Sequence, residues 1–158
     1  MKKSRKIAKK IVVILVVLTI CILEILFFNY LISDHNIIKG YYKKEEHFDP
    51  FATQDSVDYC KYYYTSEFDT IFSNKYKKIL QEDIPEIKEY FNVFKGWMEA
   101  GNRLDDYDFD ANIIDDEDFC LLYDKSDSIH AGYSKFGYFS IHFYDTNSHT
   151  LYYVHANI

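Results

Sequence analysis

The chain has 158 residues, with 16 Tyr and 13 Phe but only 5 Gly and 2 Pro. This composition can build a packed core, which excludes a disordered or collagen-like chain. From residue 35 onward, 12 basic and 23 acidic side chains give a net charge of −11. Such a charge repels phosphate backbones, so no nucleic-acid partner is predicted.

Residues 11–32 form an almost continuous apolar stretch that predicts a transmembrane helix. At about 1.5 Å per residue, the stretch spans roughly the 30 Å hydrocarbon core of a bilayer. It is longer than the apolar region of a cleaved signal peptide, and it ends in bulky rather than small residues. We therefore expect a single-pass anchor in the cell membrane.

The orientation of the anchor follows from the basic residues before it. Six of the 18 Lys and Arg residues lie within residues 1–10, and the cytoplasmic flanks of membrane helices carry such an excess. The sequence thus predicts a cytoplasmic tail (1–10), the anchor (11–32), a juxtamembrane spacer (33–50) and one extracytoplasmic domain (51–158).

Glu24 is an acidic side chain inside the predicted anchor. A carboxylate in hydrocarbon costs on the order of 2.5–3.5 kcal/mol on insertion scales, so something must offset this cost. Either the side chain is protonated or reaches the outer leaflet, or it contacts a polar or basic group on a partner helix. The second alternative makes Glu24 a candidate contact to a membrane-protein partner.

Two of the predicted helices begin the domain. Residues 51–64 place Val57, Cys60 and Tyr64 at helix-compatible intervals, although the run of three tyrosines would suit a strand nearly as well. A clearer apolar stripe runs through residues 68–80 and predicts an amphipathic helix.

A third helix is predicted for residues 83–101, because its apolar side chains recur at helical spacing and Gly101 is a typical helix stop. So few residues separate it from the helix at 68–80 that the two should form an antiparallel pair. Gly96, inside the third helix, suggests a close approach of another segment.

From residue 119 the apolar spacing changes to two, which is typical of strands. Residues 119–123 predict a central strand, 129–133 allow a short one, and 138–144 with 150–157 predict a hairpin. Pairing Tyr144 with Leu151 places the most apolar residues of the hairpin on one face. The predicted fold is α+β, with the helix pair packed on an antiparallel sheet of three or four strands.

The other face of this hairpin is aromatic, whereas the solvated face of a sheet usually carries charge. Tyr is enriched at protein interfaces because it joins a large apolar body to a polar tip. The face is therefore predicted to bind a partner, unless a further strand or the linker covers it within the domain. The candidate contact residues are Tyr138, His142, Tyr144, Tyr153 and His155.

Residues 106–117 match the ligand spacing of a calcium-binding loop. Ala111 stands where the sharp turn requires Gly, and a strand rather than a helix follows. The alternative is a solvated acidic segment with Tyr107 and Phe109 packed inward. The candidate calcium ligands are Asp106, Asp108, Asp110, Asn112 and Glu117.

No hydrolase or metalloprotease motif occurs in a suitable context, so no catalytic residue and no cofactor other than calcium is predicted. The favoured function is a membrane-anchored interaction or accessory module. The alternatives are a ligand or ion sensor using the calcium loop, and thirdly an enzyme without a familiar motif. Cys60 and Cys120 either form a disulfide in an exported domain or remain buried thiols.

Overall fold

The computed structural model of the protein describes residues 36–48, 56–125 and 135–158. The predicted tail and anchor, with Glu24, and the short strand allowed at 129–133 lie outside these residues. Among the described residues, no helix is both long enough and apolar enough to cross a bilayer.

In these described residues, six strands form one antiparallel sheet, and two α-helices and three short 3-10 helices connect them. The strands are β1 (Lys43–His47), β2 (Ser56–Tyr63), β3 (Lys77–Lys78), β4 (Phe119–Asp124), β5 (Tyr138–Asp145) and β6 (Thr150–Asn157). The helices are α1 (Asp69–Lys75) and α2 (Ile84–Ala100), and the 3-10 helices are Ser66–Phe68, Leu104–Asp106 and Ala111–Ile113. The strand order β1-β2-β6-β5-β4-β3 places the last strand near the centre of the sheet.

The two α-helices lie on opposite faces of the sheet. Phe72 of α1 stacks on Tyr144, with ring centroids 3.6 Å apart, whereas Phe91 of α2 lies 6.1 Å from the ring of Phe143. Successive residues of a strand point to opposite faces, so Phe143 and Tyr144 mark what we call the α2 face and the α1 face. The prediction of a helix pair on one face of a three- or four-stranded sheet is therefore wrong.

The predicted helix at 68–80 is shorter than its apolar stripe because the chain crosses the edge of the sheet. The helix ends at Lys75, and Lys77 and Lys78 pair with β4 as the short strand β3. Before the crossing, Tyr76 lies 6.0 Å from the ring of His142 on the α1 face. After it, Ile79 joins the core on the α2 face. One stripe in the sequence thus contributes to two separate cores.

The prediction of a helix at 51–64 is wrong, since Ser56–Tyr63 is the strand β2. This strand lies between β1 and β6 and is buried on both faces, so its apolar residues lose the alternation that distinguishes a half-buried strand. The predicted spacer at 33–50 contains a further strand, β1, whose sequence is entirely charged or His. Charged side chains are common on edge strands.

The helix predicted at 83–101 and the hairpin register are confirmed. The helix spans Ile84–Ala100, and Tyr144 pairs with Leu151. The expected close approach at Gly96 is wrong, because a Cβ atom there would meet nothing within 4 Å. The α2 face forms the main core, and its fully buried members include Phe91, Phe94, Met98, Phe139, Ile141 and Phe143.

Candidate interaction surface

Three of the five hairpin residues predicted to contact a partner are buried within the chain itself. The exposed fractions of His142, Tyr144 and Tyr153 are 1%, 0% and 9%. Phe72 stacks on Tyr144, Tyr76 lies against His142, and the ring of His142 is 4.8 Å from that of Tyr153. The aromatic character of this part of the sheet therefore has an explanation inside the fold. Partner contact by the hairpin stays a prediction.

The polar tip of Tyr144 is anchored by α1. Its hydroxyl donates a hydrogen bond to Asp69 Oδ1 at 2.6 Å, and His149 Nδ1 lies 3.1 Å from the same oxygen. Burial and the hydrogen bond to Asp69 together raise the pKa of Tyr144, so the group stays a neutral donor. These contacts join the first residue of α1 to the turn of the β5–β6 hairpin.

The other half of the α1 face is not covered by α1, and it keeps partly exposed surface. We call it the open half, and its clearest feature is Tyr123, which is 53% exposed. Tyr138 lies in the middle, with its ring 6.4 Å from that of Tyr123 and 5.1 Å from that of His155. The open half comprises Tyr123, Tyr138, Ser140 and His155, from three adjacent strands.

A cation already lies on the open half. The ammonium group of Lys125 is 3.6 Å from the ring centroid of Tyr138, which is a cation–π contact. Sequence reasoning found Tyr138 and His155 from the hairpin register, but it missed Tyr123 and Lys125. Finding them requires the pairing of Tyr123 with Ser140, which joins strands separated by a long connection.

The calcium-loop residues point to different partners in the structure. Asp108 accepts hydrogen bonds from Tyr59 at 2.7 Å and from Lys61 at 2.6 Å, whereas Asp106 pairs with Arg103 at 3.4 Å. Asp110 caps a 3-10 helix by accepting from the backbone N–H of residue 112. The fifth candidate, Glu117, donates its backbone N–H to the carboxylate of residue 115.

These arrangements lend no geometric support to calcium binding. In the part of the chain that the structure describes, no group of three or more His, Cys, Asp or Glu side chains is placed to hold a metal ion. Calcium binding at residues 106–117 therefore stays an untested alternative. Tyr107 and Phe109 are buried, at 8% and 7% exposure, as the alternative of an acidic segment with inward aromatics requires.

Lys61 pairs with one of these acidic residues, Asp108, and with Glu45 of β1. Its side chain is buried against the sheet, and its ammonium group lies 2.6 Å from both Glu45 and Asp108. Hydrogen bonds from Lys43 and Lys61 lower the pKa of Glu45 to about 2. Burial raises the pKa of Asp108, but hydrogen bonds from Lys61 and Tyr59 outweigh it and leave the pKa below its usual value. The cluster joins the edge strand to the segment after α2.

The two cysteines of the described domain are free and buried. Cys60 pairs with Tyr153 on the α1 face, whereas Cys120 pairs with Phe143 on the α2 face. Their strands are three inter-strand spacings apart, or about 14 Å, which exceeds the span of a disulfide. Of the two alternatives left by the sequence, the structure has the buried thiols. Burial raises the pKa of each thiol to about 12.

The fold and its open half carry no recognisable family signature. The chain matches no protein-family model, no curated protein and no solved structure.

Proposed function

We propose that the protein is a membrane-anchored interaction module whose extracytoplasmic domain binds a protein partner through the open half. The observation that carries the proposal is Tyr123, a large aromatic side chain that is 53% exposed beside Tyr138 and His155. Tyr side chains offer contact area at low entropic cost, which is why they are common in interfaces. The covered half of the same face is packed by Phe72 and Tyr76 of the chain itself.

The predicted anchor is part of this proposal. The apolar stretch at 11–32 and the basic tail at 1–10 favour an exported domain that stays at the membrane surface. In that position, the open half would meet the extracytoplasmic part of a membrane protein, and Glu24 would offer a contact within the bilayer. The anchor sequence and the open half therefore support the same class of partner.

The proposal can be tested by site-specific photo-crosslinking of the full chain in its own membrane. A photoreactive phenylalanine analogue placed at Tyr123 is expected to give a discrete crosslinked species. The matched control is the same analogue at Tyr42, which is 69% exposed and adjoins the opposite edge of the sheet. The species should form at position 123, should be absent at position 42, and should disappear with Tyr138→Ala.

Two results would contradict the proposal. Equal crosslinking at positions 42 and 123 would show contacts without surface preference. A crosslinked species that persists with Tyr138→Ala, at unchanged yield, would show that the open half does not form the binding surface.

A further inference from the structure

The chain enters the described domain on the same side of the sheet as α1. The backbone C=O of Ile38 accepts a hydrogen bond from the Tyr64 hydroxyl at 2.6 Å, and the ring of Tyr64 lies 4.9 Å from that of Phe72 in α1. Gly40 lies against the ring of Phe68, which a Cβ atom at residue 40 would overlap. The entry segment and α1 therefore form one layer. We call it the α1 layer, and it comprises residues 38–42 and 64–76.

The length of chain before this layer limits its distance from the membrane. The predicted anchor ends at Ile32, so only five residues separate it from Ile38. An extended chain advances at most about 3.6 Å per residue, so this stretch spans no more than roughly 22 Å. The tether therefore keeps the α1 layer, where the chain enters the domain, close to the bilayer surface.

Charge is divided unequally between the two sides of the sheet. The α1 layer has two basic and two acidic residues. Residues 83–114, which contain α2 and the core residues Tyr107, Phe109 and Ile114, have three basic and eight acidic residues. An anionic bilayer attracts lysines near its surface and repels carboxylates. Of these two sides, the α1 layer is the one that can approach such a surface without a net repulsion.

The outward side chains of α1 suit the headgroup region of a bilayer. Ile71 is 45% exposed, and Lys75 follows it by one helical turn, so the two side chains are neighbours on the helix. The carboxylate of Asp69 is engaged by the Tyr144 hydroxyl and by His149. An exposed apolar side chain beside a lysine is typical of helices that lie on membrane surfaces.

Two further lysines border this part of α1. Lys78 of β3 pairs with Phe119, which in turn pairs with Tyr144, so the Lys78 side chain points to the α1 face. Lys39 is exposed on the entry segment, directly before Gly40. Both lysines thus extend the basic character of the α1 side. We call the combined set the docking surface, and it comprises Lys39, Ile71, Lys75 and Lys78.

We propose that the docking surface lies on the bilayer that holds the anchor, with anionic phospholipid headgroups as its ligand. Ile71 enters the headgroup region, and the three lysines lie at the level of the phosphates. Because α1 and the open half share one face of the sheet, docking also holds the open half near the bilayer, where a membrane-protein partner would meet it. The inference rests on the anchor of the proposed function, but it does not require the protein partner.

The test uses the full chain inserted in nanodiscs, with a fluorescent amino acid at position 71 and lipids that carry a quencher in the headgroup region. Phosphatidylglycerol supplies the anionic surface, and nanodiscs of phosphatidylcholine alone are neutral. The matched control is the same probe at position 92, an exposed residue of α2. Quenching in anionic nanodiscs should be stronger at position 71 than at 92. The difference should disappear in about 1 M salt, where charges are screened beyond about 3 Å.

Charge reversals identify the lysines that carry the docking. Lys39→Glu combined with Lys78→Glu should lower the ratio of docked to undocked chain by about tenfold or more, because each lysine near an anionic surface contributes to the attraction. The control is Lys88→Glu combined with Lys95→Glu, which makes the same change on α2 and should not lower this ratio. All four side chains lie outside the two cores, so the variants should remain folded.

Equal quenching at positions 71 and 92 in anionic nanodiscs, or stronger quenching at 92, would overturn the inference. Quenching at 71 that is the same with and without phosphatidylglycerol would overturn it as well, since headgroup charge would then play no part. If either result is obtained while crosslinking at Tyr123 succeeds, the domain binds its partner without docking on lipid, and the proposed function stands. Failure of the full chain to remain in the nanodiscs would remove the anchor and with it both proposals.

Discussion

Asp118 Oδ1 accepts a hydrogen bond from the backbone N–H of Thr146 at 3.0 Å, which joins the start of β4 to the turn of the β5–β6 hairpin. Its other oxygen accepts from the N–H of Asp115 at 3.1 Å. The side chain is fully buried. Burial raises its pKa to about 6, although the two backbone hydrogen bonds oppose the shift.

This carboxyl group makes stability depend on pH. Its pKa is higher in the folded chain than the usual value near 3.9, so between about pH 4 and 6 the folded state binds more protons than the unfolded state. Its contribution is therefore fully present below about pH 4 and is lost as the pH rises through 6. In urea unfolding of the full chain, we expect stability to fall by roughly 2 kcal/mol between pH 4.5 and 7 on this account.

The control for this pH dependence is Asp118→Asn, which cannot ionise. The variant loses one acceptor and should be less stable at low pH, but its stability should change less between pH 4.5 and 7. Parallel curves for the two proteins would assign the pH dependence to other groups.

The division of the α1 face into a covered and an open half predicts that two Tyr→Ala substitutions on β5 reduce stability by different amounts. Tyr144→Ala removes a side chain that is fully buried under Phe72 and hydrogen-bonded to Asp69, so we expect a loss of about 3–5 kcal/mol in the free energy of unfolding. Tyr138→Ala, on the open half, should cost about 1 kcal/mol or less. Chemical denaturation of the two variants measures both, and similar losses would mean that the face is not divided.

Calcium should not stabilise the domain, because Asp108 is engaged by Lys61 and Tyr59 while Asp106 is engaged by Arg103. The melting temperature of the full chain is expected to be the same in calcium and in magnesium at about 1–10 mM, which covers the weaker extracellular sites. A melting temperature that is higher in calcium than in magnesium would contradict this prediction. If Asp110→Asn abolished the difference, the loop would be established as a calcium-binding site.

Two glycines should respond oppositely to replacement by Ala. Gly96→Ala adds a methyl group to open space in the middle of α2, so it should stabilise the protein by up to about 1 kcal/mol. At Gly40 the backbone has a φ of 113°, and a Cβ atom would overlap the ring of Phe68. Gly40→Ala should therefore destabilise the protein, and thermal unfolding compares the two signs directly.

The proposed membrane orientation can be tested with single cysteines. A membrane-impermeant maleimide applied to intact cells should label Ser126→Cys and spare Ser4→Cys, since the charge asymmetry predicts that position 4 lies in the cytoplasm. The unmodified chain controls for labelling of Cys21, Cys60 and Cys120. The reverse pattern would show the opposite orientation.

The sequence predicts local features of this fold well and long-range ones poorly. The register of the β5–β6 hairpin follows from residues only a few positions apart, because a slip by one residue would move every apolar side chain to the other face. For β2, burial on both faces hides the strand period. For β1, the charges that protect an edge make the strand look like a linker.

The candidate site was only partly predictable for the same reason. Tyr138 and His155 belong to the hairpin, and their shared face follows from its register. The position of Tyr123 depends on β4 pairing with β5, and the cover over Tyr144 depends on where the chain crosses the sheet at β3. Neither the pairing of β4 with β5 nor that of β3 with β4 is set by a short turn, so residues close in sequence do not determine either of them.

The central position of β6 determines when the domain can form during synthesis. β6 pairs with β2 on one side and with β5 on the other, so without residues 150–157 the sheet falls into two unconnected parts, β1–β2 and β5–β4–β3. A nascent chain therefore cannot close its cores until the final strand has emerged, and loop closure over roughly a hundred residues must come first. Deletion of residues 150–157 is therefore expected to disrupt the whole sheet rather than to remove one strand.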